Sequence, residues 1–87
     1  MSTKIKICGV TTVEDASLCV EAGADALGLN FYPPSPRSIA PGKAHEIARN
    51  VPPFVMLIGV FVESSAEDVR RIADEVGLHR VQLHGVD

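Results

Sequence analysis

The run Phe54-Val-Met-Leu-Ile-Gly-Val-Phe-Val62 and the segment behind it, Glu63-Ser-Ser-Ala-Glu-Asp-Val-Arg-Arg-Ile-Ala-Asp-Glu-Val-Gly77, decide the fold. An extended stretch that is apolar on both faces belongs in a sheet covered on both sides, the situation of strands inside parallel α/β proteins. Ser65 then offers a helix N-cap with Glu67 and Asp68 in the first turn. Val69, Ile72, Ala73 and Val76 recur at i, i+3, i+4 and i+7, one face of a helix that Gly77 stops. Arg80-Val-Gln-Leu-His84 follows as another strand. Strand, single helix and strand form a right-handed unit with its two strands parallel.

The same period extends towards the N-terminus. Lys4-Ile-Lys-Ile-Cys8 alternates with period two, and Thr12-Val-Glu-Asp15 opens a helix that Gly23 ends. Ala24 to Phe31 is the second strand. Its helix begins near Pro41, since proline suits a first turn, and ends before Pro52-Pro53. Strands are therefore predicted at about 4–8, 24–31, 54–62 and 80–84, a (βα)3β segment of class α/β. Two architectures fit it: an open four-stranded parallel sheet, or the first half of a (β/α)8 TIM barrel, which complete needs at least about 200 residues. Strands one and four would be raw edges, and the helix expected behind strand four is lacking. Residues 1–87 thus read as the N-terminal half of one domain, with no second domain.

Composition narrows the function classes. The 87 residues are 46% hydrophobic and 22% charged with a net charge of −3, which is globular and too acidic for binding a nucleic-acid backbone. No stretch approaches the ~20 apolar residues of a membrane span, and no signal peptide opens the chain. Cys8 and Cys19 have neither CxxC spacing nor the density of a secreted disulfide scaffold. A reduced, soluble, cytoplasmic protein is expected.

Ligand sites of parallel α/β proteins lie at the C-terminal ends of strands. There, Cys8, Asn30, Gln82 and His84 fall on the faces opposite Ile7, Leu29 and Leu83 and would converge on one barrel mouth. Cys8 before Gly9 is on base rates a small buried hydrophobe, although the adjacent Lys6 favours a thiolate. Cys19, in mid-helix, reads as core filling. His84 could be a structural histidine, while His45 and His79, in or beside helices, read as solvated. Arg37 sits in Tyr32-Pro-Pro-Ser-Pro-Arg-Ser38, where three prolines restrict it in a way that suits a bidentate carboxylate or phosphate contact. The first strand–helix turn, Cys8-Gly-Val-Thr-Thr12, lacks both GxGxxG and the P-loop pattern, and no HExxH, paired-Cys metal site or GxSxG occurs. The residues alone describe part of a parallel α/β enzyme of unknown reaction.

Lys6-Ile-Cys-Gly9, Gly23-Ala-Asp-Ala-Leu-Gly28 leading into Phe31-Tyr32, Ser35-Pro-Arg37, Gly59-Val-Phe-Val62 and Gln82-Leu-His-Gly85 together resemble phosphoribosylanthranilate isomerase of tryptophan biosynthesis, in order and along the whole chain. The resemblance implies a TIM barrel that converts N-(5′-phosphoribosyl)anthranilate to 1-(2-carboxyphenylamino)-1-deoxyribulose 5-phosphate. This is an Amadori rearrangement, an intramolecular aldose–ketose isomerisation without cofactor or metal. It implies Cys8 as the general base, Arg37 on the anthranilate carboxylate, and His84 with Gln82 lining the pocket of a phosphorylated small-molecule substrate. It assigns the general acid and the phosphate site to segments beyond Asp87. Asp25, at the wrong end of strand two, does not replace that acid, nor does Asp87. The isolated 87-mer is accordingly expected to be inactive, and the remaining half of the barrel or a second copy to cover its open edges. A half-barrel whose role is assembly, and another sugar-phosphate barrel enzyme, are the alternatives.

Overall fold

The computed structural model describes residues 4–84, so Gly85 and Asp87 of the motifs above lie outside the described residues. The elements are β1 (Lys6–Cys8), α1 (Val13–Glu21), β2 (Ala26–Asn30), α2 (Pro41–Asn50), β3 (Met56–Val62), α3 (Ala66–Val76) and β4 (Arg80–His84). All strands are parallel in the order β1-β2-β3-β4. No described helix is long and apolar enough to cross a membrane.

Helix limits follow local chemistry. Thr12 Oγ1 accepts the Asp15 N–H at 3.0 Å, and Ser65 Oγ accepts the Asp68 N–H at 3.1 Å, so each side chain satisfies a donor left free in the first turn. α2 has no side-chain cap on Ala40; Pro41 at its start contributes a preset φ instead. Gly77 stops α3 at φ +87° with its N–H on Ala73 O.

Three strands are shorter than the sequence pattern suggests, each because a neighbouring group captures the backbone. The Ile5 N–H donates to Asp25 Oδ2 at 2.8 Å, which pins the base of β1 to that of β2 without a regular ladder there. This use of Asp25, at the N-terminal end of β2, agrees with leaving it out of the site. The Val55 N–H turns back to Pro52 O, so β3 begins at Met56. The Asn30 carbonyl accepts from Ile39 N–H, which ends β2 before Phe31.

Alternate residues of the sheet face the helices. Leu27, Leu29, Leu57 and Phe61 pack there with Ala16, Ala44, Ile47 and Val76, and the Phe31 and Phe61 rings stack with centroids 5.2 Å apart. Gly59 lies on this face, and any side chain there would run into Leu78 and the Phe61 ring. Cys19 is half-buried against this core, as its mid-helix position suggests. His79 is exposed, as expected, but it does more than meet solvent. Its Nδ1 accepts the Leu57 N–H at 2.9 Å while its own backbone N–H donates to Leu57 O, so it also tethers the α3–β4 turn to β3. Val81 and Leu83 share a face with the core side of the sheet but stay 43% and 50% exposed, beside Val69 and Ala73 of α3.

Candidate active site

The other face of the sheet carries the polar strand residues. Parallel register aligns Cys8 with Gly28, Ile58 and Arg80, and in the next layer Asn30 with Val60 and Gln82, while Val62 pairs with His84. Three interstrand steps of about 4.8 Å separate β1 from β4, and side chains standing upright on a flat sheet could not bridge that distance. Yet Lys6 Nζ donates to Gln82 Oε1 at 2.7 Å. The sheet is curled with this face concave, which brings its two edge strands within side-chain reach.

Cys8 is exposed and free at the end of β1. Its thiol leans over Gly28: a Cβ at that position would lie 3.2 Å from Cys8 Sγ. Glycine therefore leaves open floor beside the sulfur. The Gly28 carbonyl also accepts both the Gly9 and Val10 N–H groups, at 3.1 and 3.3 Å, which fixes the turn that follows the cysteine. Gly9 has φ +80°, where a side chain is strained, and a Cβ there would come 2.7 Å from Arg37 Cδ and 3.4 Å from its Nη1. The Arg37 side chain thus runs along bare backbone one residue beyond Cys8.

The loop that delivers Arg37 is held by its own hydrogen bonds. Asn30 Oδ1 accepts the Tyr32 N–H at 2.8 Å, Ser35 Oγ accepts the Arg37 N–H at 3.2 Å, and the Ser38 N–H donates to Ser35 O. This revises the place of Asn30 among the strand-end candidates, because its carboxamide oxygen is used in building the loop. On β4, Gln82 Nε2 lies 3.1 Å from His84 Nε2, so Lys6, Gln82 and His84 form one hydrogen-bonded chain across the concave face. The strand residues on that face include the cations Lys6 and Arg80 and no acid among the described residues, a balance that favours an anionic ligand.

The structure therefore brings Cys8 and Arg37 together at the end of β1, and joins Gln82 and His84 to β1 through Lys6. Sequence reasoning noted Lys6 only as a neighbour of the thiol and missed its link to Gln82, for which periodicity carries no signal. A cleft of about 510 Å³ between the 32–38 loop and α3, lined in part by Phe31, Pro33, Ile39 and Ile72, includes none of the four candidates. Chemistry at strand ends weighs more here than enclosure, since the concave face is open.

Comparison with known proteins bears on the family and the fold. The family model described as N-(5′-phosphoribosyl)anthranilate (PRA) isomerase matches residues 5–87. The chain is 57% identical over 83 residues to N-(5′-phosphoribosyl)anthranilate isomerase of Geobacter sp. strain M21, which covers 95% of this chain and 41% of that one. The crystal structure of phosphoribosyl anthranilate isomerase from Thermotoga maritima superposes with a TM-score of 0.95 at 48% identity, over 99% of this chain and 42% of that one. A structure of phosphoribosyl anthranilate isomerase in complex with reduced 1-(o-carboxyphenylamino)-1-deoxyribulose 5-phosphate matches with the same TM-score and identity, over 99% of this chain and 44% of that one. The chain thus spans about two fifths of the length of the relatives it matches.

Proposed function

Because the chain belongs to the N-(5′-phosphoribosyl)anthranilate isomerase family, we propose that the polypeptide carrying it isomerises N-(5′-phosphoribosyl)anthranilate in tryptophan biosynthesis, and that these residues supply the base and the carboxylate contact. Residues 1–87 are then the N-terminal half of a single TIM-barrel domain, completed by the remaining half, and the enzyme works in the cytoplasm.

Ring opening and enolisation need two proton transfers, before the product tautomerises. An acid protonates the furanose ring oxygen, and cleavage of the C1′–O bond leaves a Schiff-base cation. A base then removes the C2′ proton, and the C–H electrons form the C1′=C2′ double bond while the nitrogen recovers its lone pair. The enolamine becomes the ketone by tautomerisation. Cys8 is the base in this reading. Its sulfur is exposed at a strand end with open space over Gly28, so a sugar carbon can approach it closely. Arg37, laid along Gly9, faces the anthranilate carboxylate with a planar fork of donors. Gln82 and His84 line the far side of the pocket.

The observation that carries the proposal is the convergence of Cys8 and Arg37 at one bare-backbone corner, with a cationic concave face beside it. The assembly-only half-barrel and a different sugar-phosphate enzyme are not favoured, since the family model and the curated relatives agree on one enzyme. The test is Cys8→Ala in the intact protein, with the melting transition recorded alongside turnover. Loss of turnover by at least about a hundredfold at unchanged stability, in the range that general acid–base catalysis contributes, supports the role; near-normal activity removes Cys8 as base.

A further inference from the structure

The Lys6–Gln82–His84 chain carries a constraint beyond the lining of a pocket. Lysine can only donate hydrogen bonds, so the Gln82 atom 2.7 Å from Lys6 Nζ must be its carbonyl oxygen. That choice removes the usual ambiguity between the two ends of an amide. The Gln82 NH2 group is then the atom facing His84 Nε2 at 3.1 Å, and an NH2 group donates and does not accept. His84 Nε2 must be the acceptor, bare of hydrogen, with the ring proton on Nδ1. We propose that Lys6 is a positioning residue that acts through Gln82 to hold His84 as the Nδ1–H tautomer, so that the imidazole offers a donor, and only at Nδ1, to an acceptor atom of the bound ligand. The role in ligand binding rests on the function proposed above; the tautomer itself does not.

The alternation of the strands explains why three separate residues are needed. Gln82 and His84 are two apart on β4 and so share the concave face, while Lys6 reaches them from the opposite edge strand. A lone Gln–His pair on one strand could adopt either amide orientation, and with it either tautomer. A cation from β1 breaks that degeneracy, and does so only when the sheet is curled enough for the two edges to meet.

Imidazole 15N–1H correlation spectra of the intact protein test this directly, with His84 assigned by its loss in His84→Asn. His79 provides an internal reference of the opposite kind, because its Nδ1 accepts the Leu57 N–H and its proton must sit on Nε2. The expected wild-type pattern is Nδ1 protonated and Nε2 bare at His84. Lys6→Arg keeps a cationic donor and should retain it, whereas Lys6→Met should let both tautomers appear. Gln82→Glu inverts the requirement: a carboxylate only accepts, so His84 should move to the Nε2–H form, a change that a purely structural role would not produce. An Nε2–H signal at His84 in the wild type, or a pattern unmoved by Gln82→Glu, overturns the inference. The spectrum is independent of turnover, so a correct tautomer in a protein without isomerase activity refutes the proposed function alone.

Discussion

Gly9→Ala is the substitution that best separates backbone geometry from chemistry. Two costs can be worked out. The backbone at position 9 has φ +80°, a left-handed conformation that costs a residue with a Cβ roughly 1–2 kcal/mol. In a domain of the size of the relatives, that lowers the melting temperature by about 2–8 °C. The second cost falls on Arg37, whose Cδ lies 2.7 Å from where the new methyl carbon must go, so the side chain has to leave its track along the backbone. If Arg37 holds the substrate carboxylate, losing a charge-assisted hydrogen bond of about 1.5–3 kcal/mol raises KM by roughly ten- to a hundredfold. The assay is steady-state kinetics on the intact protein for Gly9→Ala, Arg37→Ala and the double variant, with thermal melts of each. Because one substitution acts through the other, the double variant should show the KM of Arg37→Ala alone. Independent, additive effects on KM, or a lowered melting temperature with unchanged KM in Gly9→Ala, would refute the argument that Gly9 exists to make room for Arg37, and an unchanged KM in Arg37→Ala would refute the role of Arg37 itself.

Three further outcomes follow from packing and capping. Phe61→Ala removes a 1% exposed ring stacked on Phe31 and should cost about 3–5 kcal/mol in denaturant unfolding. Ser65→Ala deletes the acceptor for the Asp68 N–H and should cost about 1 kcal/mol, readable as a modest shift of the same transition. Asn30→Ala strips the Tyr32 N–H of its partner and loosens the loop that carries Arg37; substrate KM should rise while the base at Cys8 keeps kcat within a few-fold, measured by steady-state kinetics.

Much of the fold was legible because its signals are local. The apolar run ending at Val62, the Ser65 and Thr12 caps and the stop at Gly77 each depend on residues within a few positions of one another, and all appear where periodicity puts them. Strand ends were less legible. Whether Ile5 or Val55 joins a ladder depends on Asp25 and Pro52, whose competing hydrogen bonds no alternation pattern encodes. Cys8, Gln82 and His84 were likewise a matter of strand position and Arg37 of a proline-rich loop, while the roles proposed for them came from the resemblance of the motifs around them.

The sequence by itself determined the βα period, the parallel sheet, the identity of its two faces and the residues standing at the strand ends, since side-chain alternation and helix capping are short-range properties of the chain. Only the tertiary structure decided how those residues meet. The curl of the sheet joins Lys6 to Gln82 across 76 positions, the missing side chains of Gly9 and Gly28 make room for Arg37 and the Cys8 thiol, and the oxygen of Asn30 turns from ligand candidate to loop anchor. The physical reason is that hydrogen-bond direction and van der Waals clearance are set in space, between atoms that strand register and sheet curvature bring together, and a one-dimensional pattern holds neither quantity.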